Sequence, residues 1–257
     1  MSPRIEAAVA VDPADVVACQ RVRHRVFVME KGIVRHGTVE RDREVDEYDN
    51  LDTTVHILAR ADGEAVATVR LLRPNPQELG AMGLGLAARY DLAPFAAPGV
   101  SVAEGSRMCV VPEYRGGPVF GALCAAMIHE GLRLGLTHLV VAANAETDSM
   151  EDAVIAYRVA ARDGLVSDRF QVVPRRGASA PRPSIRRIYS AKERARARAG
   201  DLEGLQLPRA LRTFAEHLAA RYMGPPIRER GYLVCSLPGV IDLADAARVQ
   251  ALRRARR

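Results

Sequence analysis

The sequence predicts a layered α/β fold, a sheet flanked by helices, over its first 170 residues. Three observations predict it. An amphipathic helical stretch leads into a hairpin with an Asp-Gly turn; an apolar strand runs into a helix start punctuated by Gly and Pro; and a second apolar strand precedes a helix closed by glycine. Strand, loop, helix, strand, helix in that order is the pattern of layered α/β domains.

Over residues 13–30, Val16, Val17, Cys19, Val22, Val26 and Phe27 recur mostly on one stripe at helical spacing. A charged polar loop follows over 35–52. Residues 54–60 and 65–72 read as strands, and Ala61-Asp62-Gly63-Glu64 between them as a tight turn. Residues 74–99 form a loop with one short helix. Ser106 to Val111 is a third strand, broken by Pro112-Glu113-Tyr114-Arg115-Gly116-Gly117 before a helix over 119–134. Residues 138–143 are a buried strand, and 151–163 a helix ended by Gly164.

Beyond Phe170 the composition changes. Residues 174–183 are a Pro/Arg/Ser-rich connector, 191–200 a strongly charged helix, 208–222 an amphipathic helix, 232–237 a strand and 243–257 a basic helical tail. The expected division is a catalytic layer, residues 1–170, and a C-terminal extension, 171–257.

At 257 residues the chain can bury a core without a metal or disulfide staple. Cys19, Cys109, Cys124 and Cys235 have no Cys-x-x-Cys or Cys/His spacing, so buried free thiols are expected and no metal site. No run reaches the roughly 20 apolar residues that cross a bilayer, and Met1 to Asp15 carry acidic residues without a secretory apolar core, so a cytoplasmic protein is expected. The formal charge of +6 suits an acidic partner: nucleic acid, an anionic membrane surface or an acidic carrier protein. Nucleic acid is disfavoured, because aromatics are 5% and no binding motif is visible.

The junction from Val110 to Leu123 sets arginine and glycines where a strand ends and a helix begins, a place suited to phosphate because N–H groups and the positive end of the helix dipole meet there. It resembles the phosphate-cradling loop of GNAT acyltransferases, Val-x-Pro-x-x-Arg-Gly-x-Gly, with Pro118 standing where that pattern has its second glycine and Gly121 coming late. Upstream, Arg21, Arg25 and Phe27, then Glu44 to Asp49, then Val69 to Leu72, then Glu104 to Arg107 follow the order seen in the autoinducer-synthase and long-chain N-acyl amino acid synthase branch of GNAT-like enzymes. The segment from Leu207 to Pro226 is similar to a Leu-Pro-x-x-Leu, Gly-Pro-Pro element of bacterial acyltransferases that acylate ornithine or other amino acids.

The resemblance implies a GNAT-like fold with a central mixed twisted sheet, and transfer of an acyl group to the amine of an amino acid or similar small amine. It implies no tightly bound cofactor; the co-substrate is an acyl thioester of phosphopantetheine, on an acyl carrier protein or in coenzyme A. A weakened pyrophosphate cradle is easier to reconcile with a carrier protein, whose arm has one phosphate. Val110, Arg115, Gly116, Gly117, Gly121 and Asn144 fall on the donor side, and Arg25, Phe27 and Met108 on the substrate side.

Amide formation from a thioester needs a base for the amine, a partner for the developing oxyanion and a dry slot. Glu104 is the candidate base, acting directly or through a water. Arg107 and Arg70 are expected on adjacent strands, orienting Glu104 and the acidic loop, while Asp46 and Asp49 either meet the acceptor's ammonium or pair with Arg25 and Arg70. The resemblance places the oxyanion donor among the strand N–H groups of residues 108–110. Tyr157 is expected to pack in the core, His24, His56 and His129 to be structural, and Leu84, Leu86, Phe95, Met108, Met127 and Phe120 are candidate linings of an acyl groove.

Three alternatives stand beside this reading: a homoserine-lactone synthase using S-adenosylmethionine, an inactive GNAT-like binding module, and nucleic-acid binding by Arg194, Arg196, Arg198 and the tail Arg253, Arg254, Arg256 and Arg257. The same tail suits a peripheral contact with anionic lipid.

Overall fold

A computed structural model describes residues 3–33, 39–179, 186–230 and 232–255. Parts of the expected charged loop, the Pro-rich connector and the tail, including Arg256 and Arg257, lie outside the described residues.

The chain opens with an edge strand, β1 (Ile5–Val9), whose short alternating pattern gave no sequence signal. Helix α1 (Pro13–Arg23) starts where the Asp12 side chain accepts from Ala14 N–H at 2.8 Å and Pro13 pre-sets the first turn. It runs on as a wider π-helical stretch, His24–Glu30, so the predicted single helix changes pitch after Arg23. A small ribbon follows, β2 (Val39–Glu40) and β3 (Arg43–Glu44). The hairpin of β4 (Thr54–Ala61) and β5 (Glu64–Leu72) turns through Asp62 and Gly63 at φ 49° and 87°, the left-handed pair that matches strand twist.

A short helix, α2 (Pro76–Leu79), lies in the long loop before β6 (Val102–Val110). Then come α3 (Pro118–Arg133), β7 (His138–Asn144) and α4 (Met150–Arg162), the last capped by Ser149. The extension supplies α5 (Ala191–Arg198), with a Ser190/Glu193 capping box, and α6 (Arg209–Leu218). Strands β8 (Arg221–Tyr222), β9 (Ile227–Arg228) and β10 (Cys235–Asp242) and helix α7 (Leu243–Ala255) complete it. The expected helix over 208–222 stops at Ala219, whose φ of 51° breaks the helical path.

Eight strands make one sheet in the order β1-β4-β5-β6-β7-β10-β8, with β9 also on β10, so the residues beyond 170 add strands to the same sheet. Among the described strands of this sheet, the central β6/β7 pair alone is parallel. Register puts Val102, Val140 and Val240 on one face, where they pack with Leu84, Leu86, Tyr90, Phe95 and Phe170 from the loops. Leu71, Ala103, Leu139 and Ile241 share the opposite face and join a core with Val119, Leu123 and Met127 of α3. Among the described residues no helix is long and apolar enough to cross a membrane.

Candidate active site

The site is made by an interruption of the sheet. Strand β6 pairs with β7 only over Val102 to Gly105, against His138 to Val141. Past that point Val69 of β5 faces two residues of β6, Arg107 and Met108, because the register slips by one; Arg107 takes a left-handed φ of 57°. Such a bulge bends its strand and increases local twist. The ends of β6 and β7 therefore lie apart, and a cavity of about 510 Å³ occupies the gap. Its lining comes from both faces of the sheet: Glu104, Asn144 and Ser236 on one side, Phe120, Phe214 and Arg253 of the helices on the other.

The parted strand leaves a hydrogen-bond donor unused by the sheet. Val111 N–H donates to Val66 O at 2.9 Å, and the next pair in phase is Cys109 with Thr68. Alternation of an antiparallel ladder then turns the Val110 N–H the other way, toward β7 and the gap. The Val110 carbonyl on the same side accepts from Arg115 Nε at 2.9 Å, so Arg115 satisfies the oxygen and leaves the N–H facing the cavity.

Glu104 projects from β6 toward the loop face and lines the cavity. Its Oε2 accepts from Leu86 N–H at 2.7 Å, and its Oε1 lies 3.3 Å from Arg89. Gly85 packs closely beside it, since a Cβ there would sit 3.2 Å from Glu104 Oε2 and from the Tyr48 ring. Arg89 Nη1 also donates to both oxygens of Glu229, at 2.9 and 2.8 Å, and Ser236 Oγ donates to Glu229 Oε1 at 2.5 Å. Arg70 and Arg107 were expected to orient Glu104; that part is played by Arg89 and a backbone amide.

Arg70 and Arg107 instead belong to a buried cluster behind the bulge. Arg23 donates to Asp49 Oδ1 at 2.8 Å and meets Glu44 at 2.7 Å; Arg70 bonds Asp49 at 2.7 Å and Asp46 at 3.0 Å; Arg107 bonds Glu44 at 3.1 Å and Asp46 at 2.5 Å. Three guanidinium groups thus balance three carboxylates, with Arg23 0% exposed and Arg70 2%, while Arg107 keeps partial exposure at the cavity wall. Burial works to raise the Asp49 carboxyl, but the Arg23 hydrogen bonds and the charges of Arg23 and Arg70 outweigh it and hold the group well below the usual carboxylate range. Asp46 is lowered in the same way, the Arg107 charge and the Arg70 bond overcoming burial. The Arg107 guanidinium also stacks 4.7 Å from the centre of the Tyr232 ring. The cluster fixes the shape of the bulge, and only Arg107 of its arginines reaches the cavity wall.

At the start of α3, Gly116 adopts φ 77° and Gly117 precedes Pro118 in the first turn. Pro118 has no N–H, so the helix offers one donor fewer to a phosphate than the glycine of the full pattern would. Arg115 lines the cavity but is paired with Glu30 at 2.6 Å. Cys109 also lines it, and burial pushes its thiol up to about 12, so it stays protonated at neutral pH and is no nucleophile.

Of the residues singled out in the sequence, Glu104, Arg107, Met108, Val110, Arg115, Gly116, Gly117, Asn144 and Phe27 line the cavity. Asp46, Asp49 and Arg70 lie behind it, and Gly121 stands outside the lining. Arg25 is on the surface, 46% exposed, paired with Glu113 and Glu64 and not with the aspartates. Of the proposed groove residues, Met108 and Phe120 line the cavity, whereas Leu84, Leu86, Phe95 and Met127 are core. Tyr157 packs against the core and does not line the cavity.

Sequence reading missed Arg23, Arg89, Glu229 and Ser236. For Arg23 a signal existed: it is four residues after buried Cys19 and three before buried Val26, on the inner stripe of its helix. The Arg89–Glu229 pair is 140 residues apart in sequence and carries no local signature.

A sheet that parts beside a glycine-led helix, with a carboxylate and an unused strand N–H facing the gap, is the GNAT-like fold that the sequence predicted. Residues 22–125, from the end of α1 into α3, match the acetyltransferase (GNAT) domain family. It is similar to an L-ornithine N(alpha)-acyltransferase of Rhodobacter capsulatus, 38% identical over 122 residues, 44% of this chain and 45% of the relative. The chain thus spans less than half the length of the curated relative it matches. Among solved structures it is similar in fold to FeeM, an N-acyl amino acid synthase from uncultured soil microbes, with a TM-score of 0.55 and 12% identity over 95% of this chain and 94% of that one. It is also similar in fold to BjaI, a CoA-dependent acyl-homoserine lactone synthase, with a TM-score of 0.52 and 19% identity over 98% and 89% of the two chains.

Proposed function

We propose that the protein is an N-acyltransferase that moves an acyl group, a fatty one, from a phosphopantetheine thioester to the amine of an amino acid. One observation carries the reading: the Glu104 carboxylate and the Val110 N–H face the same gap in the sheet. The acyl-bearing arm enters the gap from the side of α3 and α6, and the amine comes from the loop face. Glu104 takes the proton of the attacking ammonium, directly or through a water, and the nitrogen bonds the carbonyl carbon. The oxygen that becomes anionic is met by the Val110 N–H; as the carbon–sulfur bond breaks, the second proton of the nitrogen passes to the departing thiolate sulfur, leaving amide and free thiol.

The similarity to ornithine N-acyltransferases supports an amino acid as acceptor. The proline in the phosphate turn, and Arg209 and Arg253 at the helix side of the cavity, favour an acidic acyl carrier protein as donor over coenzyme A. A cytoplasmic location, with the basic face of α7 near anionic lipid, fits a lipid product.

The test is mass spectrometry of lipid extracts from cells making the intact protein or its Glu104→Gln variant, followed by assay of the purified proteins with acyl carrier protein and coenzyme A donors. An acylated amino acid is expected only with the intact chain, with the variant slower by about 10²–10⁴-fold. A Glu104→Gln protein of full activity would falsify the assignment, and a lactone product would transfer it to homoserine-lactone synthesis.

A further inference from the structure

We infer that Glu229, supplied by the C-terminal segment, is a positioning residue for the transfer: it holds Arg89 in a pair of its own, so that Glu104 can take up a proton without leaving that guanidinium unpaired. The inference rests on the acyltransferase reading above and concerns how the base of that same site is kept ready.

Three groups meet on the loop face of the gap. Arg89 Nη1 donates to both oxygens of Glu229, at 2.9 and 2.8 Å, whereas its Nη2 reaches Glu104 Oε1 at 3.3 Å. The shared guanidinium therefore leans toward Glu229. Ser236 Oγ donates to Glu229 Oε1, and the Glu229 N–H donates to the Val234 carbonyl at 3.0 Å. The loop that carries Arg89 is fastened to residues beyond 170 as well: Tyr90 Oη donates to Pro225 O at 3.0 Å, and the Arg175 N–H donates to Arg89 O at 2.8 Å. Both ends of the Arg89–Glu229 pair are thus held by hydrogen bonds of their own.

The side chains of Glu104 and Glu229 are only 7% and 8% exposed. In so dry a place a charge that loses its partner is costly. During transfer the proton of the reacting ammonium passes to Glu104, which becomes a neutral acid, and no proton is exchanged with Glu229 or Arg89. Were Glu104 the sole partner of Arg89, that step would strand the guanidinium, and the carboxylate would resist it. With Glu229 as the standing partner, Arg89 is compensated in both states of the base. Burial works against the Arg89 charge, but Glu229 and after it Glu104 outweigh burial and raise the guanidinium above its ordinary range. On the flanking strands Glu104 lies beside Leu72 and Val140, which carry no charge. From the acidic loop Tyr48 approaches the same space beside Gly85; burial, then Glu47 and Glu104, raise its phenol, so it stays neutral.

The experiment is the pH profile of kcat/KM for the full-length protein, with the best acceptor among ornithine and the common amino acids and a fatty acyl thioester of carrier protein or coenzyme A as donor. Ionisation of the substrates is common to all variants, so differences between profiles belong to the enzyme. Glu229→Gln keeps the shape, removes the charge and leaves Arg89 to Glu104. Its acid limb is expected to move toward lower pH by about one unit or more, with kcat at neutral pH lower by about tenfold. Adding Arg89→Met to Glu229→Gln removes the guanidinium and is expected to return the limb to the wild-type position or above it, which a merely structural role for Glu229 would not produce. An unmoved limb in Glu229→Gln overturns the inference, as does a limb that stays low in the double variant. Should Glu229→Gln fail to fold, Glu229→Asp, which draws the carboxylate back by one methylene, is expected to move the limb the same way by less, and an unmoved limb there is equally decisive against it. Absence of transfer by wild type to any of these acceptors overturns the acyltransferase reading itself, an outcome distinct from transfer with an unmoved limb.

Discussion

Arg23 and Arg25 are two residues apart, yet the structure gives them opposite weights, and replacing each with methionine separates them. Arg23 is fully buried and joined to Asp49 and Glu44, which are themselves buried. Removing it leaves three carboxylates against two guanidinium groups in a dry site. Breaking a buried ion pair from one side costs about 3–5 kcal/mol. For a chain of this size one kcal/mol moves Tm by roughly 2 °C, so Arg23→Met should melt about 6–10 °C lower. Arg25 pairs with Glu64 and Glu113, both 58% or more exposed, and such surface pairs contribute about 0–1 kcal/mol. Arg25→Met should therefore melt within roughly 2 °C of wild type. Thermal unfolding followed by circular dichroism at neutral pH measures both. Adding Asp49→Asn to Arg23→Met should recover part of the loss, because the uncompensated charge goes with it. Equal shifts for the two arginines, or no recovery in the double variant, would refute the view that charge balance in this cluster stabilises the fold.

Two further perturbations test other parts of the structure. His56 is held below its ordinary pKa, chiefly by burial, so the unfolded chain takes up its proton first as pH falls below about 6.5. Its contribution is present in full above that value and is lost as pH falls further. Tm should decline from pH 7 to 5, and a His56→Gln protein whose decline is as steep would show that other groups cause it. Gly224, in the Gly-Pro-Pro element, packs so closely that a Cβ would lie 2.2 Å from the Val172 carbonyl oxygen. Gly224→Ala should cost about 1–3 kcal/mol and lower Tm by several degrees, and an unchanged melting curve would show that the two segments can separate freely.

The alternation of strands and helices was legible because each central element carries its own local signal. The Asp-Gly turn, the apolar run at 138–143 and the glycine after α4 each lie within a few residues of what they punctuate. Glu104, Arg107 and the acidic pair were legible as a set of types in order, but their contacts were not. The bulge at Arg107 decides which side chains of β6 reach the gap, and it arises from pairing with β5, which one strand's pattern cannot reveal. The extension was hardest to read: β10 takes a central place beside β7, yet the predicted strand over 232–237 began early and took in only Ser236 and Leu237 of the residues that pair with β7. Pro238 and Gly239 in its middle suppress the usual strand signal, and Gly239 is needed where a Cβ would come within 2.9 Å of Val141.

The gap between β6 and β7 is walled from both faces of the sheet, and the one thiol in its wall stays protonated. On the proposed N-acyltransferase reading, that thiol is no place to store an acyl group between encounters. Direct transfer then requires donor and acceptor in residence together, with turnover following the product of their occupancies. On that reading shortage of either pool stops the reaction without committing the other, and the rate answers to both supplies at once.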